Sequence, residues 1–371
     1  MTRERFKKQE AGSFFGDWLY AKVVPEDHFL RKLDAIVPWQ TYTELLMQLY
    51  SGGAMYGRPP YDPAVILKML LISYLYNLSE RATEQHAGDS LVMKWFLRLA
   101  VDEPAPDHST LSRFRKRLIR KDKGAALEEI LADIVRLAKE TGVQFGSIQV
   151  IDSVHTSADV NPRKDKDRQK KEGKPPRDGG AAWGVKRTKR VYDRHGNEVM
   201  IPDRFFGFKT HASLNALSGL ITNLMVTAGN AHDGHILPHL VHRDLAVGML
   251  VSTVTADRGY DDSGNHELLR AKGIHSAIIL NHYRTHKKDP AKQVWIDLKA
   301  SEAYQLGIRE RYKIERKFGE AKQGHGFGRC RYLGIPGYQV QAYLTAITLN
   351  LKRLVKLQTG TGFRGTASVC A

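Results

Sequence analysis

The stretch RYKIERKFGEAK, residues 311–322, sets two glutamates among five cations. In so cationic a helix an acid is ordinarily a surface salt-bridge partner of small energetic weight. Drawn at 100° per residue from Arg311, Glu315 falls at about 40°, Phe318 at about 340° and Lys322 at about 20°. Ile314 and Ala321 flank that stripe, so it borders the face expected to pack. Glu320 falls at about 180°, facing outward with Arg316 one turn behind it. The two acids therefore separate: Glu320 reads as a surface ion pair, whereas Glu315 is either half of a semi-buried pair with Arg311 or a carboxylate aimed at other acids.

Two aspartates could meet it. Asp152 ends the β-rich run SIQVID and Asp257 ends VSTVTAD. Reactive groups collect where strands of an open α/β sheet give way to loops, although a lone Asp there is as readily a turn or helix cap. Asp261, Asp262 and Ser263 are available to cap the next helix, which leaves Asp257 without that duty. If Asp152, Asp257 and Glu315 converge, their mutual repulsion raises their pKa values unless cations neutralise them. Mg²⁺ takes hard oxygen ligands of this kind, with Mn²⁺ as a substitute. Two such ions about 4 Å apart activate a water or a 3′-hydroxyl for in-line attack on a phosphodiester.

These acids need a sheet and helices to position them. Strand-like runs begin near residue 142. FGFKTHASLNA and GLITNLMVTAGN form the arms of a hairpin around Leu217–Gly219, and VSTVTA and HSAIIL alternate with helical stretches. The expectation is an α/β fold, a mixed sheet flanked by helices. Before it, from Tyr61 to about residue 140, the pattern is helical, with caps at Asp62–Pro63, Ser79 and Asp107 or Ser109. The resulting division is an all-helical domain over 1–140, a catalytic domain over 141–357 and a flexible tail over 358–371. Residues 160–200, too charged and too rich in Gly and Pro to pack a core, read as a basic loop inserted in the sheet, and 282–295 as a basic connection.

The charge points to a polyanion. The chain of 371 residues carries 57 Lys or Arg against 40 Asp or Glu, a formal +17. Residues 161–190 contribute twelve cations and four acids, and RFRKRLIRKDK from Arg113 to Lys123 seven and one. Each phosphate neutralised by such groups releases counterions, so double-stranded DNA is the expected partner. Arg113 and Arg117 lie on a basic helix of the kind that enters a groove, and Lys186 and Arg187 lie in the basic insertion. Two cysteines exclude a disulfide framework and thiolate-rich zinc sites. The start lacks a secretion signal and the longest apolar run, AVILKMLLISYLYNL, contains Lys68, so a cytoplasmic, nucleoid-associated protein is expected, with no membrane span.

NAHDGHILPHLVH offers His232, His235, His239 and His242, which would share one face of an unbroken helix and suit zinc. Pro238 interrupts that helix. A polar loop with a helix starting near Asp233 is the simpler assignment.

Taken together, these pieces resemble a family, the DDE transposases of bacterial insertion sequences, in the group spanning the fourth and fifth insertion-sequence families. The pattern of an arginine, a glutamate four residues on and a lysine seven beyond that appears as Arg311, Glu315 and Lys322. IDSVHTSA, GFKTHASLNALSGLITNLMVTAGNAHDG and ADRGYDD match in order, and the likeness runs from about residue 55 to 355. The tyrosine that often precedes the arginine by three positions is Ile308 here. The resemblance implies a ribonuclease H-like catalytic domain with Asp152 on its first strand, Asp257 after its fourth and Glu315 on a later helix. It also implies Mg²⁺-dependent cutting at the ends of the element, joining of the freed 3′-hydroxyls to target DNA, and a homodimer or larger synaptic assembly. By the same likeness Arg311 and Lys322 contact element-end phosphates. Two other readings remain at this stage: a DNA-binding repressor of the same ancestry, and a related nuclease or resolvase without strand transfer.

Overall fold

In the computed structural model, residues 6–7, 14–50, 59–286 and 290–363 are described. The chain divides into two compact units. One comprises residues to 130 together with those from 344 onward, the other Leu131–Tyr343. Both boundaries fall within helices, Ala125–Glu140 and Gly334–Thr359. The expected divisions at 140 and 357 are thus displaced, because long helices do not end where a domain does. The expected tail is displaced too: Gln358 and Thr359 complete a helix, and the Phe363 ring meets Phe29 and Tyr76 edge-on. Residues 364–371 lie outside the described part.

The first unit is all-helical among its described residues. Its central helix, Pro63–Leu75, is buried along its whole length and starts at an Asp62 cap that accepts the Ala64 N–H. Lys68 sits inside it, paired with Asp34 at 2.6 Å and donating to the Phe96 carbonyl at 2.9 Å. Among the described residues no helix is long and apolar enough to cross a membrane. Ser79 and Asp107 cap the helices Glu80–Asp89 and His108–Arg120 as expected.

The second unit is built on a six-stranded mixed sheet. Its strands are β1 (Ile148–Ser157), β2 (Ala182–Tyr192), β3 (Glu198–Asn215), β4 (Ile221–Ala228), β5 (Thr253–Ala256) and β6 (His275–Ile278). The order is β2-β3-β1-β5-β6, with β4 on β3; β3 is antiparallel to β1, β2 and β4, and β1, β5 and β6 run parallel. With β2 set aside, β1, β3, β4, β5 and β6 form a five-stranded mixed sheet in the order β4-β3-β1-β5-β6, with Asp152 on the first of these strands in sequence and Asp257 directly after the fourth.

Both faces of the short parallel strands are covered, which is why β5 is buried throughout. On one face Val254, Ala256 and Ile278 pack with Leu237, Leu240, Val241 and Leu269 from two helices. The alternate residues Thr253, Thr255 and Ala277 meet the helix Glu302–Glu310 at Gly307, where an added Cβ would lie 2.5 Å from the Ala277 Cβ. Only glycine allows that approach, and the helix Tyr312–His325 follows directly.

The basic insertion is not a loop. Residues 162–172 form a helix capped by Asn161, and β2 with the start of β3 forms a long hairpin. The absence of a core did not prevent order, because capping, a ladder of backbone hydrogen bonds and local ion pairs such as Arg168–Asp165 (2.9 Å) need none. Likewise the connection at 282–295 contains the short turn His282–Thr285 and the start of the helix Lys292–Ala300, with residues 287–289 outside the described part.

Candidate functional site

β1 and β5 pair in parallel as far as Ile151↔Ala256 and then part. Asp152 and Asp257 are the next residue on each strand, so the sheet's own register sets them side by side where it opens. Asp152 accepts its neighbour Ser153's N–H at 2.8 Å. Asp257 accepts the Gly259 N–H at 2.8 Å and so caps the turn Arg258–Tyr260. As expected, Asp262 and not Asp257 caps the following helix, while Asp261 is occupied by His266 and Arg284; the capping by Asp257 is confined to the short turn.

Glu315 lies in the first turn of the helix Tyr312–His325, whose Ile314, Phe318 and Ala321 are buried as the helical projection requires. Its side chain is 54% exposed and pairs with Arg311. Glu320, expected to face outward, is 36% exposed and lies 3.3 Å from Lys317, so it is the less exposed of the two acids, the reverse of the expectation. Burial, then the charge of Asp257, pushes the Asp152 carboxyl up to about 7; Arg311 opposes the shift and Glu315 adds to it. Asp257 is also raised, chiefly by burial, with Asp233 adding and Arg311 and Lys209 opposing. Asp152, Asp257, Glu315 and Arg311 thus share one electrostatic neighbourhood.

Behind the aspartates lies a network that sequence reasoning did not assign. Asp233 accepts from the Ser153 hydroxyl at 3.0 Å and pairs with Lys209 at 2.7 Å. His211 bridges the Tyr260 hydroxyl (3.3 Å) and the Thr227 hydroxyl (3.0 Å), and burial pulls its pKa down to about 4, so it is neutral. The available signal was period-2 spacing: Lys209 and His211 face one side of β3, opposite His155 and Ser153 of β1.

A cationic border adjoins the site. Burial and the Lys186 charge both lower the Lys322 pKa, and His155 is brought down to about 4 by burial, Lys322 and Lys186. The Arg187 side chain lies outside what the structure describes. In the helical unit Arg113 folds back onto the Ser109 hydroxyl at 2.8 Å, and Arg117 lies over the Tyr50 ring at 4.4 Å.

Three carboxylates are the right donors for a hard divalent ion, and Asp152, raised first by burial and then by the charge of Asp257, would be held ionised by a cation there. Their oxygens do not yet all lie within 4.8 Å of one another. Among the described residues the group that does is Glu84, Asp107 and His108. There Asp107 caps a helix and Glu84 accepts the His108 N–H at 3.0 Å, which are structural duties. The four histidines form no such group: a turn at Asp233–His235 precedes a helix starting at Leu237, with Pro238 in its first turn.

The sequence matches the family described as Transposase DDE domain over residues 144–351, and that described as Transposase domain (DUF772) over residues 19–117. The chain belongs to the DDE transposases, a family of DNA-transposing enzymes typical of bacterial insertion sequences whose members generally use divalent metal ions. Similar solved structures include a piggyBac transposase synaptic complex with hairpin DNA, at 8% identity and a TM-score of 0.39, covering 96% of this chain and 78% of that one. Another is a Mos1 transposase paired-end complex with the left transposon end, at 10% identity and a TM-score of 0.20, covering 73% of this chain and 82% of that one.

Proposed function

We propose that Asp152, Asp257 and Glu315 are the catalytic acids of this transposase, and that they hold two Mg²⁺ ions, replaceable by Mn²⁺. The bound ions would activate the attacking oxygen and stabilise the leaving one. The chain's own groups do the rest. Asp152 and Asp257 are fixed by the sheet register and by N–H bonds from Ser153 and Gly259. Glu315 would reach them from a helix anchored through Ile314 and Phe318. Arg311 neutralises Glu315 until a DNA phosphate competes for the guanidinium, which then frees the carboxylate for its ion. Lys322 and Lys186 hold neighbouring phosphates, with Arg187, Arg113 and Arg117 as further contacts to the duplex. The protein cuts at the ends of its own element and joins the 3′-hydroxyls to target DNA, working as a homodimer or larger assembly that pairs two ends.

The observation that carries this reading is the placement of Asp152 and Asp257 immediately beyond the last paired residues of two adjacent parallel strands. An assay of end cleavage and strand transfer in Mg²⁺ tests it. Asp152→Ala, Asp257→Ala and Glu315→Gln are expected to bind end-bearing duplex but neither cut nor join it, whereas Glu320→Gln stays near native. Inactive wild-type protein that still binds the ends would favour a repressor, and cutting without joining a nuclease. Loss in Glu320→Gln with Glu315→Gln intact would overturn the assignment of the helix face.

A further inference from the structure

β2 and the first half of β3 run past the sheet as a two-stranded ribbon. Residues 208–214 of β3 lie between β1 and β4, whereas residues 198–206 pair with β2. Such a hairpin is marginal by itself in water. This one also exposes Val185, Val191, Tyr192, Val199, Met200 and Ile201. Its base is firmly seated: Gly184 is buried where any Cβ would strike the Gly229 carbonyl and the Phe205 ring, and Phe205 packs on His155 at 4.9 Å. The ribbon therefore leaves the domain in a fixed direction, ready for a partner that covers it.

The chemistry selects nucleic acid over a second copy. β2 holds Lys186, Arg187, Lys189 and Arg190 and no acid, so two copies meeting along that edge would repel. Pro202 interrupts the donors on the other strand. The faces are what remain. Thr188↔Pro202, Arg190↔Met200 and Tyr192↔Glu198 share one of them. It presents a hydroxyl, a guanidinium, a carboxylate and two flat or flexible apolar groups, with Tyr192 69% and Met200 54% exposed. Those are the groups that read base edges, and the major groove admits a two-stranded ribbon. The ribbon's ion pairs, Arg190–Glu198 at 3.1 Å and Lys189–Asp203 at 3.0 Å, are solvent-accessible and exchange readily for phosphate. At its base Lys186 adjoins Lys322, so the cations continue into the site.

We infer that the ribbon lies in the major groove of the duplex being cut and reads its sequence through Arg190, Tyr192 and Met200. At a strand's rise the six residue steps from Lys186 to Tyr192 span about 20 Å, or about six base pairs of duplex. The reading patch therefore lies about six base pairs from the phosphate held at Lys322. This rests on the function proposed above, and it assigns the sequence discrimination to a segment apart from the chemistry.

The test is hydroxyl-radical footprinting on duplexes taken from the DNA that flanks the coding sequence. It compares wild type, the triple variant Arg190→Ala, Tyr192→Ala, Met200→Ala, and Asp257→Ala. Wild type and Asp257→Ala should protect both the cut position and a patch about six base pairs inside it. The triple variant should lose the inner patch alone, with its preference for the end over unrelated duplex falling about 10- to 100-fold. Independently of any loss of folding in that variant, an iron chelate tethered at Tyr192→Cys, in a Cys370→Ser background, should cut the DNA at the inner patch. An unchanged inner patch, chelate cleavage elsewhere, or a variant whose sole defect is loss of self-association would overturn the inference. Failure of wild type to cut the ends while the patch persists would instead overturn the catalytic reading.

Discussion

Substituting Gly307 by alanine should separate stability from activity. The added Cβ would lie 2.5 Å from the Ala277 Cβ, 3.3 Å from Thr253 Cγ2 and 3.4 Å from the Thr255 Cβ, where ordinary contact begins at 3.4 Å. The helix Glu302–Glu310 must therefore withdraw from β5 and β6 by about 1 Å. Overpacking of this kind costs about 1–3 kcal/mol, and alanine's better helix propensity returns about 1 kcal/mol. The net loss is about 1 kcal/mol, a fall in Tm of about 2–4 °C for a domain of this size. Activity should suffer far more. Arg311 and Glu315 continue directly from this helix, and a displacement of about 1 Å at a reacting centre costs about 100-fold. Thermal unfolding followed by circular dichroism, beside end cleavage at saturating duplex, reads both quantities. The double variant Gly307→Ala, Ala277→Gly removes the opposing Cβ and should recover most of the activity. Native cleavage in the single variant, or no recovery in the double, would refute the claim that this contact sets the position of Glu315.

Two predictions concern buried charge away from the site. Asp34→Ala strands the Lys68 ammonium inside the helical unit and should cost about 3–5 kcal/mol in urea unfolding, whereas Asp34→Ala with Lys68→Met should cost much less; a single-variant loss under about 1 kcal/mol would contradict this. Asp244, which accepts from Ser213, Thr222 and Asn223, is raised to about 6 by burial despite those bonds. Its folded pKa exceeds its unfolded one, so its contribution is complete below pH about 4 and is lost as the pH rises through about 6, by on the order of 3 kcal/mol. Asp244→Asn should remove that dependence, and a stability difference between the two proteins that is constant from pH 4 to pH 7 would rule the account out.

The elements around the site were readable because their signals are local. Hydrophobic runs of strand length, the turn at Leu217–Gly219 and the caps at Asp62, Ser79 and Asp107 each sit within a few residues of one another. The basic insertion misled for a physical reason. A charge-rich segment without apolar periodicity looks like a loop, yet a hairpin ladder is a property of paired backbones, and its second strand begins six residues after the first ends. That Asp262 relieves Asp257 of capping the helix Ser263–Ala271 was legible, whereas the turn Arg258–Tyr260 that Asp257 does cap was not, because it depends on where the backbone bends and composition does not state that. Lys209 and Asp233 were invisible as a pair because 24 residues separate them and only the fold brings them to 2.7 Å.

The ion pair between Arg311 and Glu315 joins the two readings of that glutamate offered by the sequence. A carboxylate in a surface pair and a carboxylate aimed at other acids look like alternatives, but electrostatics allows one residue to be both in turn. Burial, and then the charge of Asp257, already raise Asp152 to about 7; without a cation Glu315 would add to that, so its favoured resting partner is the nearest guanidinium. Arg311 opposes the shifts of both aspartates while it holds the glutamate, and so neutralises the site in the absence of DNA and metal. On the proposed reading, a phosphate brings the competing anion for Arg311 together with the ions that make three carboxylates compatible. The chemistry is then assembled by its substrate, and a basic border around an acidic centre is what such an assembly requires.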